Sequence, residues 1–352
     1  MDILKRYVMI TVLALAMTGC YSDFEPSLKS DPVLCLNSLI TAGVPVEVSV
    51  SHTWRYSDGY PGRDFDVNVN DAKVAMYING EFAESLIFDD ESGRYHGLAI
   101  PGEGDVVRLV AESDTYGRAE AEVRIPDKTP IQNVKWNAGN VNCWRDELGV
   151  GGSRDFMYMA LNVEIPVHDA PGVDNYFKFD WSTFVPDVDD GGDAFINSPV
   201  EFYLSGLKYD AEPLFSEHIS VFESVFGSDS YGFTAFTDRR FKGGVYPLNI
   251  RFDNGYIVVS NPSNDDRLYH LGVILSLESI SPGYYNWLIY RWNTDEGVLG
   301  TLAEIGFAEG FCGYSNVSTG AGVVAARSVS TYNLDLYDFL KQQFDEYNLK
   351  IE

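Results

Sequence analysis

The sequence predicts a mainly β protein: an N-terminal immunoglobulin-like β-sandwich over residues 31–126, then a larger β-rich region over 127–352 with a few short helices. Three observations predict it. Apolar and polar residues alternate at a period of two in many short runs, as half-buried strands require. Glycine, proline, asparagine and aspartate separate those runs, giving roughly seven strands in the first ~95 residues of the sandwich. Helical spacing of apolar residues is confined to three stretches. With 352 residues, 45% hydrophobic and 14% aromatic, the chain has material for two domains.

In order, Val33 to Ile40 is largely apolar, and Val44, Val46, Val48 and Val50 alternate with smaller or polar residues. A polar and aromatic connection, Ser51 to Asp71, precedes the strand Ala72 to Ile78. Asn79-Gly80 supplies the positive backbone angles of a type I′ turn and predicts a hairpin with Glu81 to Phe88. Turns at Asp89–Gly93 and Pro101–Gly104 set off Tyr95 and the strand Asp105 to Ala111; Ala119, Ala121, Val123 and Ile125 end the sandwich. Pro126-Asp127-Lys128-Thr129-Pro130 marks the boundary. Beyond it, Ile131 to Trp136, Met157 to Val167, Tyr176 to Phe184, Val200 to Leu204, Tyr246 to Phe252, Tyr256 to Ser260 and Leu268 to Glu278 read as strands.

Helices are predicted in three places. Leu214, His218, Phe222 and Phe226 recur at four-residue spacing from Pro213. Ser281-Pro282 offers an N-cap and a first-turn proline for a helix carrying Tyr285, Leu288, Ile289 and Trp292 on one face. Asn333 is the expected cap of a terminal helix with the stripe Leu336, Leu340, Phe344 and Tyr347, and Asp335 favours its positive end.

Residues 1–19 have the pattern of an export signal: Lys5 and Arg6, then an apolar run from Tyr7 to Met17 that is short for a membrane span. The run stops at Met17-Thr18-Gly19-Cys20, which resembles a lipobox; small residues admit a peptidase and the thiol accepts a lipid, so Cys20 is the predicted lipidation site. Residues 20–30 form a tether, Tyr21-Ser22-Asp23-Phe24-Glu25-Pro26, with acids close behind the lipid. Loss of Asp2, Lys5 and Arg6 takes the net charge from −27 to −28. That charge argues against a nucleic-acid partner and against lying flat on an anionic membrane; the body is expected to stand off from a membrane held through the lipid. Cys35, Cys143 and Cys312 remain, enough for one disulfide at most, so stability must come from a core.

The order of Val33-Leu34-Cys35-Leu36-Asn37, Asn79-Gly80-Glu81, Ala119 to Pro126, Phe236-Thr237-Asp238, Phe241-Lys242-Gly243, Tyr284-Tyr285 and Asn316 to Ala326 resembles the DUF4249 family of Bacteroidetes lipoproteins. The resemblance covers nearly the whole mature chain. It implies an outer-membrane, surface-exposed lipoprotein in the company of TonB-dependent receptors, and it brings no catalytic residues with it.

The residues themselves offer little catalytic chemistry. Gly320-Ala321-Gly322-Val323-Val324-Ala325 has the spacing of a dinucleotide fingerprint, but no strand precedes it and no α/β pattern surrounds it; a glycine-rich turn feeding a strand is expected. Asp187-Val188-Asp189-Asp190-Gly191-Gly192-Asp193 opens like an EF-hand loop, yet Ser198 stands where the bidentate glutamate belongs; it reads as a solvated loop, with Asp187, Asp189 and Asp193 the candidate ligands of a structural Ca2+. Asp64, Asp66, Asn68, Asn70 and Asp71 form a weaker oxygen cluster. His52, His96, His168, His218 and His270 show no zinc spacing, and no G-x-S-x-G elbow is present. Neither a cofactor nor an enzymatic activity is therefore predicted. Trp54-Arg55-Tyr56 and Tyr60, in the long connection of the sandwich, are the predicted ligand contacts, since loops carry binding function and rings give area at low entropy cost. Tyr284, Tyr285, Trp287, Tyr290 and Trp292 are denser but sit at helical spacing and read as core. The expected function is binding, as an accessory of a TonB-dependent uptake system, with a structural or adhesive surface protein as the alternative.

Overall fold

A computed structural model describes residues 31–54, 67–148, 152–170, 172–185, 200–217, 233–260, 270–296 and 313–351. The chain is mainly β. Seven strands occupy its first part: β1 (Leu34–Thr41), β2 (Glu47–His52), β3 (Lys73–Ile78), β4 (Glu81–Asp89), β5 (Arg94–His96), β6 (Val106–Ser113) and β7 (Gly117–Arg124). The hairpin between β3 and β4 turns on Asn79 and Gly80 at φ 53° and 86°, the left-handed pair a type I′ turn demands.

Eight further strands follow: β8 (Lys135–Leu148), β9 (Gly152–His168), β10 (Tyr176–Phe184), β11 (Val200–Leu207), β12 (Ala235–Thr237), β13 (Val245–Ser260), β14 (Gly272–Ile280) and β15 (Val324–Asp335). The two expected strands at 246–252 and 256–260 are one, β13, continued through a bulge between Phe252 and Gly255. Most of β8 escaped sequence reading because Asn137, Gly139, Asn140 and Asn142 dilute its apolar pattern; it borders the sheet, where such residues meet water.

The strands form two sheets. The larger runs β12-β10-β14-β15-β1-β2-β5-β4-β3-β6-β7 and the smaller β11-β13-β9-β8. Among the described strands every ladder is antiparallel except that of β1 with β15, where Ser38 lies beside Val324 and Thr41 beside Arg327. The segment before β15 also reaches β7: Ser318 and Glu120 exchange both backbone hydrogen bonds, and Ala321 bonds Leu34 and Leu36. Residues 318–324 thus lie between β7 and β1. The glycine-rich run is a connection into a strand, as expected, and its glycines are steric. A Cβ on Gly320 would meet the Leu34 carbonyl oxygen at 2.4 Å.

Two apolar clusters make up most of the core. One joins Leu34, Leu36, Val48, Met76 and Leu109 to Val317, Val324 and Ala326 from the far end of the chain. The other packs Phe177, Phe179, Phe215, Phe236 and Phe252 between the two sheets. At the sheet edges, the Trp181 indole and Thr183 hydroxyl donate to the Leu204 and Phe202 carbonyls of β11.

Helix α1 (Pro282–Arg291) starts as the sequence predicts: Ser281 Oγ accepts from Tyr284 N–H at 3.3 Å and also from Ala326 N–H at 3.1 Å. It ends in a π-helical turn, Trp292–Glu296. Helix α2 (Tyr337–Ile351) buries Leu340 and Phe344, with Leu336 buried just before it, but its cap is corrected: Asn333 is still in β15, opposite Ile274, and Asp335 Oδ1 accepts from Tyr337 N–H at 2.9 Å. The stretch from Pro213 forms a 3-10 turn to Ser216, capped by the buried Glu212; His218, Phe222 and Phe226 lie outside the described residues.

Candidate functional site

Alternation along β1 sends Leu34, Leu36 and Ile40 to the core and Asn37, Leu39 and Thr41 to the opposite face. That face is open. Helix α1, seated on Ala325 through Tyr285 and Tyr284, rises along one side of it. Together they leave a groove of about 580 Å3, within the usual span of ligand pockets. Its floor is Asn37, Leu39, Ser49, Val323 and Ala325; Tyr284 and Trp287 form one wall, and Val44, Pro45, Glu47 and Arg94 the other.

Ser49 and Ala325 are the smallest side chains of the floor and leave it room. Leu39 and Val44 stay 40% and 47% exposed, so part of its apolar lining faces water. On the polar side, Arg94 Nη1 lies 3.3 Å from Glu47 Oε2, and His96 Nδ1 lies 3.5 Å from Glu47 Oε1. Ser38 Oγ donates to the Glu47 carbonyl at 2.7 Å, and Val323 N–H donates to Asn37 Oδ1 at 2.9 Å. The Val323 bond holds the Asn37 amide by its oxygen. Exposed ion pairs such as Arg94–Glu47 are worth little to stability and can exchange partners with a ligand.

Behind the Thr41 end, a charged row crosses β10, β14, β15 and β1. Lys178 Nζ lies 3.0 Å from Asp180 and 3.4 Å from Glu278, Arg327 Nη1 donates to Glu278 at 2.9 Å, and Arg327 Nε donates to Thr41 Oγ1 at 3.1 Å. Glu278 is 3% exposed, and its Oε2 has no hydrogen-bond partner. Burial works against the Lys178 ammonium, but Glu278 and Asp180 outweigh it and hold Lys178 above its usual value. Burial and the Glu278 charge raise the Tyr284 phenol. Tyr284 therefore stays neutral, able to donate and accept at the groove wall.

Of the residues predicted as ligand contacts, Trp54 is 48% exposed, whereas Arg55, Tyr56 and Tyr60 lie outside the described residues. So do Cys20, and Asp187, Asp189 and Asp193. Asn68, Asn70 and Asp71 are exposed, while Asp64 and Asp66 fall outside. Among the described residues, no three Cys, His, Asp or Glu side chains group as metal ligands. The aromatic run of α1 divides: Tyr284, Tyr285 and Trp292 are buried, as read, but Trp287 is half-buried and lines the groove with Tyr284. Periodicity could not reveal this, because a wall residue and a core residue occupy the same helix face. In β1 the alternation seen in the structure puts Leu39 with Asn37 and Thr41 on the face away from the core, a pattern that the largely apolar run does not display.

The family model described as "Domain of unknown function (DUF4249)" matches residues 21–333. The chain belongs to the DUF4249 family. The match takes in β1 to β14 and most of β15, hence every groove residue of this DUF4249 protein. No curated protein matches the chain. Among solved structures it is similar to "Crystal structure of Putative membrane anchored protein from Corynebacterium diphtheriae", at 9% identity and a TM-score of 0.18, over 72% of this chain and 55% of the other. It spans just over half of that protein's length, and at such a TM-score the likeness carries no argument.

Proposed function

We propose that this DUF4249 protein is a lipid-anchored, non-catalytic binding protein of the outer-membrane surface that serves a TonB-dependent uptake system. The observation that carries the binding reading is the groove between α1 and the outer face of β1 and β2, where Tyr284, Trp287 and Leu39 meet the Glu47–Arg94 pair. The Met17-Thr18-Gly19-Cys20 motif supports anchoring through Cys20, and the net charge of −27 supports a body held clear of the bilayer. Among the described residues no helix is long and apolar enough to cross a membrane.

A structural or adhesive surface protein is the second reading. It is favoured by an aromatic row on the solvent side of the smaller sheet, where Tyr158 and Tyr203 are 44% and 57% exposed. One experiment separates the two: the lipidated protein is drawn from its native membranes in mild detergent beside Cys20→Ala and Ser49→Trp variants, and partners are identified by mass spectrometry. The uptake reading expects a TonB-dependent barrel with the wild type and less of it with the Cys20 variant. Recovery of only further copies of the protein overturns it in favour of adhesion.

A further inference from the structure

The connection between β9 and β10 and the turn after β12 converge on one amide. Asn175 Nδ2 lies 2.7 Å from Asp169 Oδ1, 3.1 Å from Asp238 Oδ2, 3.2 Å from the Ala170 carbonyl oxygen and 3.4 Å from that of Val173. An amide NH2 has two hydrogens, so it can satisfy only half of these four oxygens. Asp238 is 1% exposed. Its Oδ2 also accepts from Asn175 N–H at 2.7 Å, which holds the carboxylate against Asn175, while its Oδ1 is buried and has no hydrogen-bond partner. A buried carboxylate oxygen without a donor is costly unless a cation faces it.

We propose that Asp169, Asn175 and Asp238, with the backbone carbonyls of Ala170 and Val173, form a calcium site. The donors are all oxygen once the Asn175 amide is turned over, the flip that exchanges its NH2 for its carbonyl oxygen. Two carboxylates, two carbonyls and one amide oxygen, completed by water, meet the count calcium takes at hard, irregular sites; magnesium demands a stricter octahedron. The absence of imidazole and thiolate from the set argues against zinc. Lys242, paired with Asp174 beside the cage, only partly offsets the three carboxylates.

The cation would fasten the two sheets where the chain crosses between them. Asp169 N–H donates to the Gly244 carbonyl at 3.0 Å, holding the end of β9 to the start of β13, and Asp238 N–H donates to that of Asn175 at 3.2 Å, holding β12 to β10; the Asn175–Asp169 contact links the two pairs.

The test is calcium binding by the full chain after EDTA treatment, followed by equilibrium dialysis to about 10 mM calcium, above the range of extracellular sites. Melting temperature is read in calcium and in EDTA. Asp169→Asn, Asp238→Asn and a triple Asp187→Asn, Asp189→Asn, Asp193→Asn variant are compared. The site predicts about one calcium per chain that raises the melting temperature, is retained in the triple variant and is lost in both single variants. Should Asp238→Asn fail to fold, Asp169→Asn decides alone. No binding by the wild type, unchanged binding in a folded Asp169→Asn, or complete loss in the triple variant overturns the proposal.

Discussion

Gly322 packs against Leu36 so closely that a Cβ on it would stand 2.2 Å from the Leu36 carbonyl oxygen, at a φ of +116°. Both the contact and the angle exclude a side chain. Gly322→Ala should destabilise the protein by about 3 kcal/mol or more, since backbone strain and displacement of β1 add. Gly43, at φ +76° with nothing near its Cβ position, isolates the angle, and Gly43→Ala should cost about 1 kcal/mol. Urea unfolding of the two variants measures the difference, and equal losses would refute close packing at Gly322.

Glu278 holds Lys178 and Arg327 from a buried position. Glu278→Gln should destabilise by about 3 kcal/mol, because two cations lose their counter-charge. Stability after Glu278→Gln equal to wild type would show that Asp180 and solvent suffice.

The same cluster sets a pH dependence. Lys178 is raised in the folded state, so its contribution is fully present below about pH 10 and is lost as pH rises through the folded value. Tyr284 is raised as well; above about pH 10 the unfolded chain ionises it first, and stability falls in the same direction. The melting temperature should decline from about pH 10 upward, less steeply in Lys178→Met. An identical decline in both would assign it elsewhere.

Trp144 of β8 stacks on Phe156 of β9 at 5.0 Å and 4°, and Tyr158 meets Tyr256 of β13 at 4.9 Å. A double-mutant cycle of Trp144→Ala with Phe156→Ala should return a coupling of about 1 kcal/mol. A coupling near zero would mean that the rings merely share a surface.

Ser49 faces the groove from β2, where its small side chain leaves room. Ser49→Trp should fill the groove with a change in stability of at most about 1 kcal/mol and reduce partner recovery several-fold. Unchanged recovery from a folded variant would move the contact surface away from the groove.

Local chemistry made the strands and turns legible. Asn79-Gly80 announces its hairpin, Ser281-Pro282 its helix, and Val46, Val48 and Val50 their buried face, whereas Val44, expected on that face with them, is exposed at the groove. What stayed hidden depends on partners distant in sequence. Nothing near Asn37 indicates that its side chain receives the Val323 amide, 286 residues away, and nothing near Asn175 indicates that Asp238 closes on it. The groove was obscured for the same reason: Trp287 is core-like by spacing, and only the neighbouring strand makes it a wall.

The parallel ladder between β1 and β15 bears on when the molecule can assemble. Strand β1 finds one neighbour nearby in β2 and the other only in β15, 286 residues on from Ser38 to Val324, a loop whose closure entropy must be met before those hydrogen bonds form. Until residues 318–327 arrive, β1 offers one bare edge to any strand that passes, its own copies on other chains included. Assembly of this edge should therefore be late, and the unfinished chain is the species that needs protection.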